Sequence, residues 1–354
     1  MRDCHLVLRE PWRLLFPLGA LLAWAGALPW LLFSLGLLPA QGVLNKVLEY
    51  RAFLHPVAEL EGFVGCFALG LLFSFVKPSW PELLLAVAAP LCAAGLAFVG
   101  RWEEGQVLWL LLLGAVVLRF RQSLWLLAGV LLGLAGFALA SVSQEWWLRE
   151  LGRDLVMQGM FSALAVGAAR IIRGDGDGRK LPHALGIALF AAGFWIAARY
   201  GKPHLGFALR GLVLIAVTWP LRASFEVGPR NLHKSFAHLA LWLMAAGTLW
   251  VGIIPAVRRA GLHVIFLGAF TCLLCAGFTQ LGVSRGRLAA MAGLFALSMF
   301  GRVMVELDPP SFHIWMGISA AAFLCATALC AQPASMVSWT KRSFSRTGSE
   351  STNG

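Results

Sequence analysis

Charged side chains are scarce in this sequence: they make up 13% of its 354 residues, against about 25% in soluble domains. Hydrophobic residues reach 59%. A soluble globule of this size has too small a core to hide that much apolar surface. The scarcity of charge therefore excludes a soluble enzyme and a disordered chain.

Several chemical signatures are also missing. The seven cysteines are an odd number and lie mostly within apolar runs, which excludes a secreted disulfide scaffold. There is no Cys-x-x-Cys-His, so covalent attachment of c-type haem is excluded. A dinucleotide glycine fingerprint, a phosphate-binding loop and a His-Glu-x-x-His motif are absent as well. No basic stripe is interleaved with aromatic residues, so the net charge of +12 does not indicate nucleic-acid binding.

Long apolar runs dominate what is present. They are continuous rather than alternating, which excludes a transmembrane β-barrel, and about 20 apolar residues span a bilayer as a helix. The sequence therefore predicts an all-α, polytopic membrane protein whose partner is the lipid bilayer. The twelve predicted membrane helices lie near residues 13–38, 54–76, 82–100, 106–120, 123–142, 152–172, 182–199, 204–220, 233–257, 261–284, 287–306 and 311–332.

Domain organisation and orientation follow from the polar segments. Residues 1–332 are predicted to form a single transmembrane domain, and the Ser/Thr/Lys/Arg-rich residues 333–354 a disordered cytoplasmic tail. A glycine- and aspartate-rich connector occupies residues 174–178. Most of the 29 lysines and arginines lie at the termini and in the loops on their side, which predicts that both termini are cytoplasmic.

The histidines sort by membrane side in this topology. Four of them open helices that enter from the outer face, and these are His55, His204, His263 and His313. Imidazole is a common ligand of haem iron, copper and zinc, so side chains at a similar depth are candidates for one metal site. His313 and Met316 also form a nitrogen and sulfur pair three residues apart. The alternative is that these histidines mark the ends of helices at the interface.

Ionisable residues inside the predicted helices sharpen the outer site. His55, Glu59, Gly62 and Cys66 recur at helical spacing, which places them on one face. Charged groups within a membrane pair with one another or line a wet cavity. Arg210 is therefore predicted to pair with Glu59, with Glu61 or with the carboxylates of a bound cofactor, and a structural ion pair is the alternative.

Four segments, residues 55–63, 167–172, 232–242 and 263–287, together resemble motifs of the NnrS family, bacterial membrane proteins associated with haem, copper and nitric-oxide stress. Residues 55–63 are similar to its His-x-His-Glu-Met-x-x-Gly-Phe segment, and residues 167–172 to its Gly-Gly-Arg-Ile-Ile-Pro segment. Residues 232–242 look like its Leu-His-Leu-Gly-Tyr-x-Trp segment, with His233 or His238 as the counterpart of the family histidine. Residues 263–287 resemble its His-Ala-Leu-Thr-x-Gly-Ala helix and the following Gly-His-Thr-Gly-Arg. Val57 stands where the family has a second histidine.

The resemblance implies a protein of the bacterial inner membrane that binds haem b, copper or both and is linked to nitrosative stress or denitrification. His55 and His263 would be its metal ligands, with Glu59 and Arg210 as supporting groups. The resemblance is compatible with catalysis and with protection by binding. Two alternatives stay open: a metal-free transporter with a polar path at Glu59, Glu61 and Arg210, and a structural relative without cofactor.

Overall fold

Twelve helices of 16 residues or more build the part of the chain that the structure describes, and no strand occurs in these ranges. The computed structural model describes residues 8–37, 54–120, 123–174, 180–219 and 231–332. Ten of its helices are long and apolar enough to cross a membrane. The predicted all-α, polytopic architecture of about twelve helices is confirmed. His5, residues 175–178 of the connector and the predicted tail at 333–354 lie outside the described residues.

The helix bounds are as follows. They are α1 (Trp12–Ser34), α2 (Leu54–Phe75), α3 (Trp80–Phe98), α4 (Trp102–Val117), α5 (Leu124–Val142), α6 (Trp146–Arg173), α7 (Lys180–Tyr200), α8 (Pro203–Thr218), α9 (Leu232–Ile253), α10 (Pro255–Gln280), α11 (Arg285–Leu307) and α12 (Pro309–Ala331).

The helices form a closed, sequential bundle. Each packs against its neighbours in the chain, and α12 packs against α1. Short connections favour this arrangement because they leave successive helices antiparallel and adjacent. The ends of the chain thus meet in space, and residues far apart in sequence share one interior.

Three helices, α2, α6 and α10, are the most enclosed in the bundle. Each contains a stretch of π-helix, and these stretches are Ala58–Val64, Leu155–Met160 and Val264–Ala269. A π turn widens the helix by one residue and rotates the side chains that follow it, and such turns are frequent at functional sites.

Helix ends differ from the predicted ones where local chemistry intervenes. The predicted ninth helix runs to residue 257, but α9 stops at Ile253 and α10 begins at Pro255, because proline lacks an N–H and suits only a first turn. α10 ends at Gln280, four residues before the predicted end, and Gly282 follows in the left-handed region at a φ of +75°. α6 starts at Trp146, six residues early, with Arg153 lying 3.7 Å from Glu103 of α4.

Glycine contacts hold the short helix α8 against both neighbours. A Cβ on Gly206 would collide with the carbonyl oxygen of Gly193 in α7. A Cβ on Gly211 would lie 2.9 Å from the Cα of Leu249 in α9. Small residues let helix backbones approach closely in a membrane, where burial of apolar side chains does not drive association. These contacts fix α8, and with it Arg210, between α7 and α9.

Candidate functional site

A large cavity lies between α1, α2, α10, α11 and α12. Its volume is about 710 Å³, within the usual range of ligand pockets. Arg259, which is 73% exposed, and Glu306 approach to 3.8 Å at its rim. Ser298 lies eight residues before Glu306 on α11, so the cavity reaches about 12 Å into the bundle.

The walls of the cavity change character with depth. His55, Glu59, His263 and Arg302 line its upper part. The deeper surface is largely apolar and aromatic, and it includes Phe63, Leu267, Ala320 and Phe323. A cavity with a polar upper wall and an apolar lower wall matches an amphipathic ligand, whose charged end stays near the rim.

His55 and His263 line this cavity together, although 208 positions separate them in the chain. Nδ1 of His55 lies 2.9 Å from the carbonyl oxygen of Gly26 in α1. Nδ1 of His263 lies 2.7 Å from the carbonyl oxygen of Arg259. A carbonyl oxygen only accepts, so Nδ1 donates in both rings and Nε2 carries the lone pair. This is how proteins orient imidazoles that bind metals through Nε2.

Arg302 is the cation that contacts one of these imidazoles. Its Nε donates to Nε2 of His263 at 3.1 Å, and its Nη1 lies 2.8 Å from the sulfur of Met316 in α12. The guanidinium also sits 5.7 Å from the centre of the Trp30 ring in α1. From α11, Arg302 thus contacts side chains of α1, α10 and α12. Its hydrogen bond occupies the nitrogen of His263 that would bind a metal. Arg302 is not among the site residues predicted from the sequence, although it is a charged residue inside a predicted helix, as Arg210 is.

The four residues of α2 that helical spacing places on one face all lie against α1. His55 and Glu59 line the cavity, and Nδ1 of His55 lies 3.9 Å from the Glu59 carboxylate. Gly62 packs against Leu22 of α1, and Cys66 is buried. The Glu59 carboxylate lies against Gly26 and Cys66 lies against Gly19, both in α1, so all four residues share the face that packs on α1 and the prediction of a common face is confirmed.

Arg210 does not pair with Glu59 or Glu61 among the described residues. Its Nη1 donates to Oε1 of Gln158 in α6 at 3.3 Å. Its guanidinium lies between the rings of Phe194 and Phe207, at 3.8 and 3.9 Å from their centres. The predicted pairing is wrong because α8 packs between α7 and α9, whereas α2 packs between α1 and α3.

Glu61 also lies away from the cavity. It is fully buried, and its Oε1 accepts a hydrogen bond of 2.6 Å from Nε2 of Gln106 in α4. Glu59 lines the large cavity and Arg210 lines a separate, much smaller pocket with Gln158. In the part of the chain that the structure describes, the three residues therefore do not form the single polar path of the transporter alternative.

The other candidate histidines are dispersed. His313 is exposed and packs against the rings of Phe33 and Phe312, and its predicted partner Met316 is the one that lines the cavity. His204 and His233 lie in the first turns of α8 and α9.

His238, the last of the candidate histidines outside the cavity, is buried on α9. Its Nε2 accepts from Trp242, and its Nδ1 lies 2.8 Å from Nη1 of Arg173. Across the described ranges no group of three or more His, Cys, Asp and Glu side chains is placed to hold a metal ion.

The donor set therefore fits one implied cofactor better than the other. Haem takes one or two axial imidazoles, and its carboxylates pair with arginine. Two oriented imidazoles, two arginines and an apolar floor are present in the cavity. The His₂Cys set of a copper electron-transfer site needs three strong donors, and the described residues contain no such group. The lining of the cavity is thus compatible with haem, and among the described residues no three-donor set for copper is present.

Comparisons with known proteins identify no relative. No model of a protein family matches the chain, and no curated protein and no solved structure is significantly similar to it.

Proposed function

We propose that this integral membrane protein binds haem b in the cavity between α1, α2, α10, α11 and α12, as a divergent relative of the NnrS family. One observation carries the proposal. His55 and His263 line the same cavity, and a backbone carbonyl holds Nδ1 of each ring so that Nε2 is the acceptor nitrogen. Histidines that mark helix ends for interfacial polarity alone do not need this shared orientation.

Different residues of the cavity would hold the metal and the carboxylates of such a group. Nε2 of His55 and of His263 would hold the metal, and the carbonyls of Gly26 and Arg259 fix the ring orientations. The guanidinium of Arg302, which donates to Nε2 of His263 in this structure, would pair with a carboxylate of the group, with Arg259 as the second cation at the rim.

The deeper wall serves the apolar part of the group. Phe63 and Phe323 are buried and offer it a surface that excludes water. Haem iron, when bound, coordinates diatomic gases and passes single electrons.

Absorption spectroscopy and iron analysis of the purified protein test the proposal. The wild-type protein is expected to show a Soret band and close to stoichiometric iron, and His55→Ala and His263→Ala should each abolish or shift the band. His204→Ala is the matched control, because this histidine lies in the first turn of α8 and does not line the cavity. A wild-type protein that takes up no haem, even after reconstitution with haemin, would overturn the proposal.

The resemblance extends the proposal to the bacterial inner membrane and to nitrosative stress. Catalysis and sequestration are separated by adding nitric oxide to the reduced protein. A catalyst removes many equivalents of the gas, whereas a binding protein stops at one equivalent for each haem. If His263→Ala changes neither the catalytic removal nor the binding of nitric oxide, the cavity is not the site of either process.

A further inference from the structure

A buried pair of polar side chains lies between α2 and α4, outside the lining of the cavity. Glu61 of α2 and Gln106 of α4 both have no exposed surface. Glu61 is seven residues from the start of α2, which puts it about 10 Å below that end of the helix. Intramembrane ionisable residues are costly and by default indicate function.

The hydrogen bonds of this pair are incomplete in a specific way. Nε2 of Gln106 donates to Oε1 of Glu61 at 2.6 Å. The two remaining oxygens, Oε2 of Glu61 and Oε1 of Gln106, are both buried and have no hydrogen-bond partner. An ionised carboxylate and an amide carbonyl are acceptors only, so neither oxygen can satisfy the other.

Charged groups on the elements around Glu61 are engaged elsewhere. At the far end of the bundle Arg13 of α1 pairs with Glu10, and Glu82 of α3 pairs with Arg119. On α4, Glu103 pairs with Arg153 and Glu104 with Arg101.

The remaining titratable groups on α2 and α10 lie on other faces. The groups that face the cavity are His55, Glu59, Arg259 and His263. The nearby thiols are Cys66 of α2 and Cys272 and Cys275 of α10, and Cys92 of α3 is exposed. Among the described residues no cation forms an ion pair with Glu61.

We propose that Glu61 is a proton-binding site inside the membrane bundle, a neutral carboxylic acid whose Oε2–H donates to Oε1 of Gln106. One added proton on Oε2 turns an acceptor into a donor and closes a ring of two hydrogen bonds with the amide. This one proton then gives both oxygens, Oε2 of Glu61 and Oε1 of Gln106, a hydrogen-bond partner. An ionised Glu61 would instead bury an unpaired charge, which is far more costly than burying a hydrogen-bonded acid.

The two glutamates of the π segment then have different roles. Glu59 faces the cavity and the imidazole of His55, whereas Glu61 faces α4 and stores a proton behind the cavity wall. This proposal is independent of haem binding, because neither Glu61 nor Gln106 lines the cavity.

Infrared spectroscopy of the full chain in lipid bilayers at pH 7 tests the proton directly. The spectrum of the wild type minus that of Glu61→Gln is expected to contain the carbonyl stretch of a protonated carboxylic acid, moving to lower wavenumber in D₂O. Glu61→Gln keeps the shape of the side chain and the bond to Gln106. Glu59→Gln is the matched control and should leave that band in place. A difference spectrum that contains only carboxylate bands would overturn the proposal.

Gln106→Leu supplies a second test should Glu61→Gln fail to fold. Removing the amide takes away the hydrogen bond to the acid carbonyl, so the band should move to higher wavenumber in this variant relative to the wild type. An unchanged band in Gln106→Leu would show that the protonated acid is not Glu61 and would equally refute the assignment.

Discussion

Removing the guanidinium of Arg302 should expose Nε2 of His263. Arg302 donates to this nitrogen at 3.1 Å, and the backbone carbonyl of Arg259 holds the opposite nitrogen of the ring. The Arg302→Met variant keeps a side chain of similar length while deleting the donor. His263 should then react faster with diethylpyrocarbonate, a reagent that modifies the imidazole nitrogen carrying a lone pair.

The size of the effect follows from the bond that is lost. A hydrogen bond from a charged donor is worth about 1.5–3 kcal/mol. Each 1.4 kcal/mol is a factor of ten, so the modification rate at His263 should rise about 10- to 100-fold. Peptide mass spectrometry of the haem-free protein measures this rate site by site, with His204 as the internal reference.

Arg259→Met is the matched control for this experiment. Arg259 also lines the cavity, but it contacts His263 through its main-chain oxygen, which the substitution keeps. His263 should therefore react at close to the wild-type rate in this variant. Equal rates at His263 in Arg302→Met and Arg259→Met would refute the idea that the guanidinium covers the ligand nitrogen.

Three further predictions concern other parts of the molecule. Arg210→Met should destabilise the protein by roughly 2–4 kcal/mol, because the substitution removes the cation that contacts two aromatic rings. The haem content should stay unchanged. Thermal unfolding and iron analysis measure the two effects, and loss of haem in a folded variant would contradict the prediction. The hydrogen bond from Nε1 of Trp315, followed by that from Ser311, holds the pKa of Asp308 below its usual value. The resulting stabilisation is present above the unfolded pKa of about 3.9 and is lost as the pH falls through the folded value. Trp315 fluorescence should therefore change in acid for the wild type but not for Asp308→Asn. Identical fluorescence profiles for the two proteins would refute this prediction. Reporter fusions at residue 175 and after residue 332 should both report the cytoplasm, and opposite signals would contradict the predicted orientation.

Helix number could be predicted because it depends on local composition. A run of about 20 apolar residues crosses a bilayer wherever it occurs, and backbone groups in lipid must be satisfied within the segment. The ends of the helices were harder to predict than their number, because single residues determine where a helix starts and stops. Pro255 begins α10 immediately after α9 stops, and Arg149 and Glu150, which precede the predicted sixth helix, lie within α6 rather than in a loop.

The candidate site was harder still to predict, because it depends on which helix faces which. His55 and His263 could be selected from their depth, and the structure places both at one cavity. Arg210 has the same sequence signal as Arg302, a charge inside an apolar helix. Only the packing of α8 between α7 and α9 puts Arg210 elsewhere, and only the packing of α11 against α10 and α12 puts Arg302 on His263.

The sequence by itself determined that this chain is a bundle of apolar membrane helices and how many helices it has, since both depend on residues close together along the chain. The tertiary structure decided which of its polar groups meet. Closure of the bundle by α12 against α1 brings residues of α1, α2, α10, α11 and α12 around one cavity. A contact between helices is set by the packing of whole faces, which no single segment specifies.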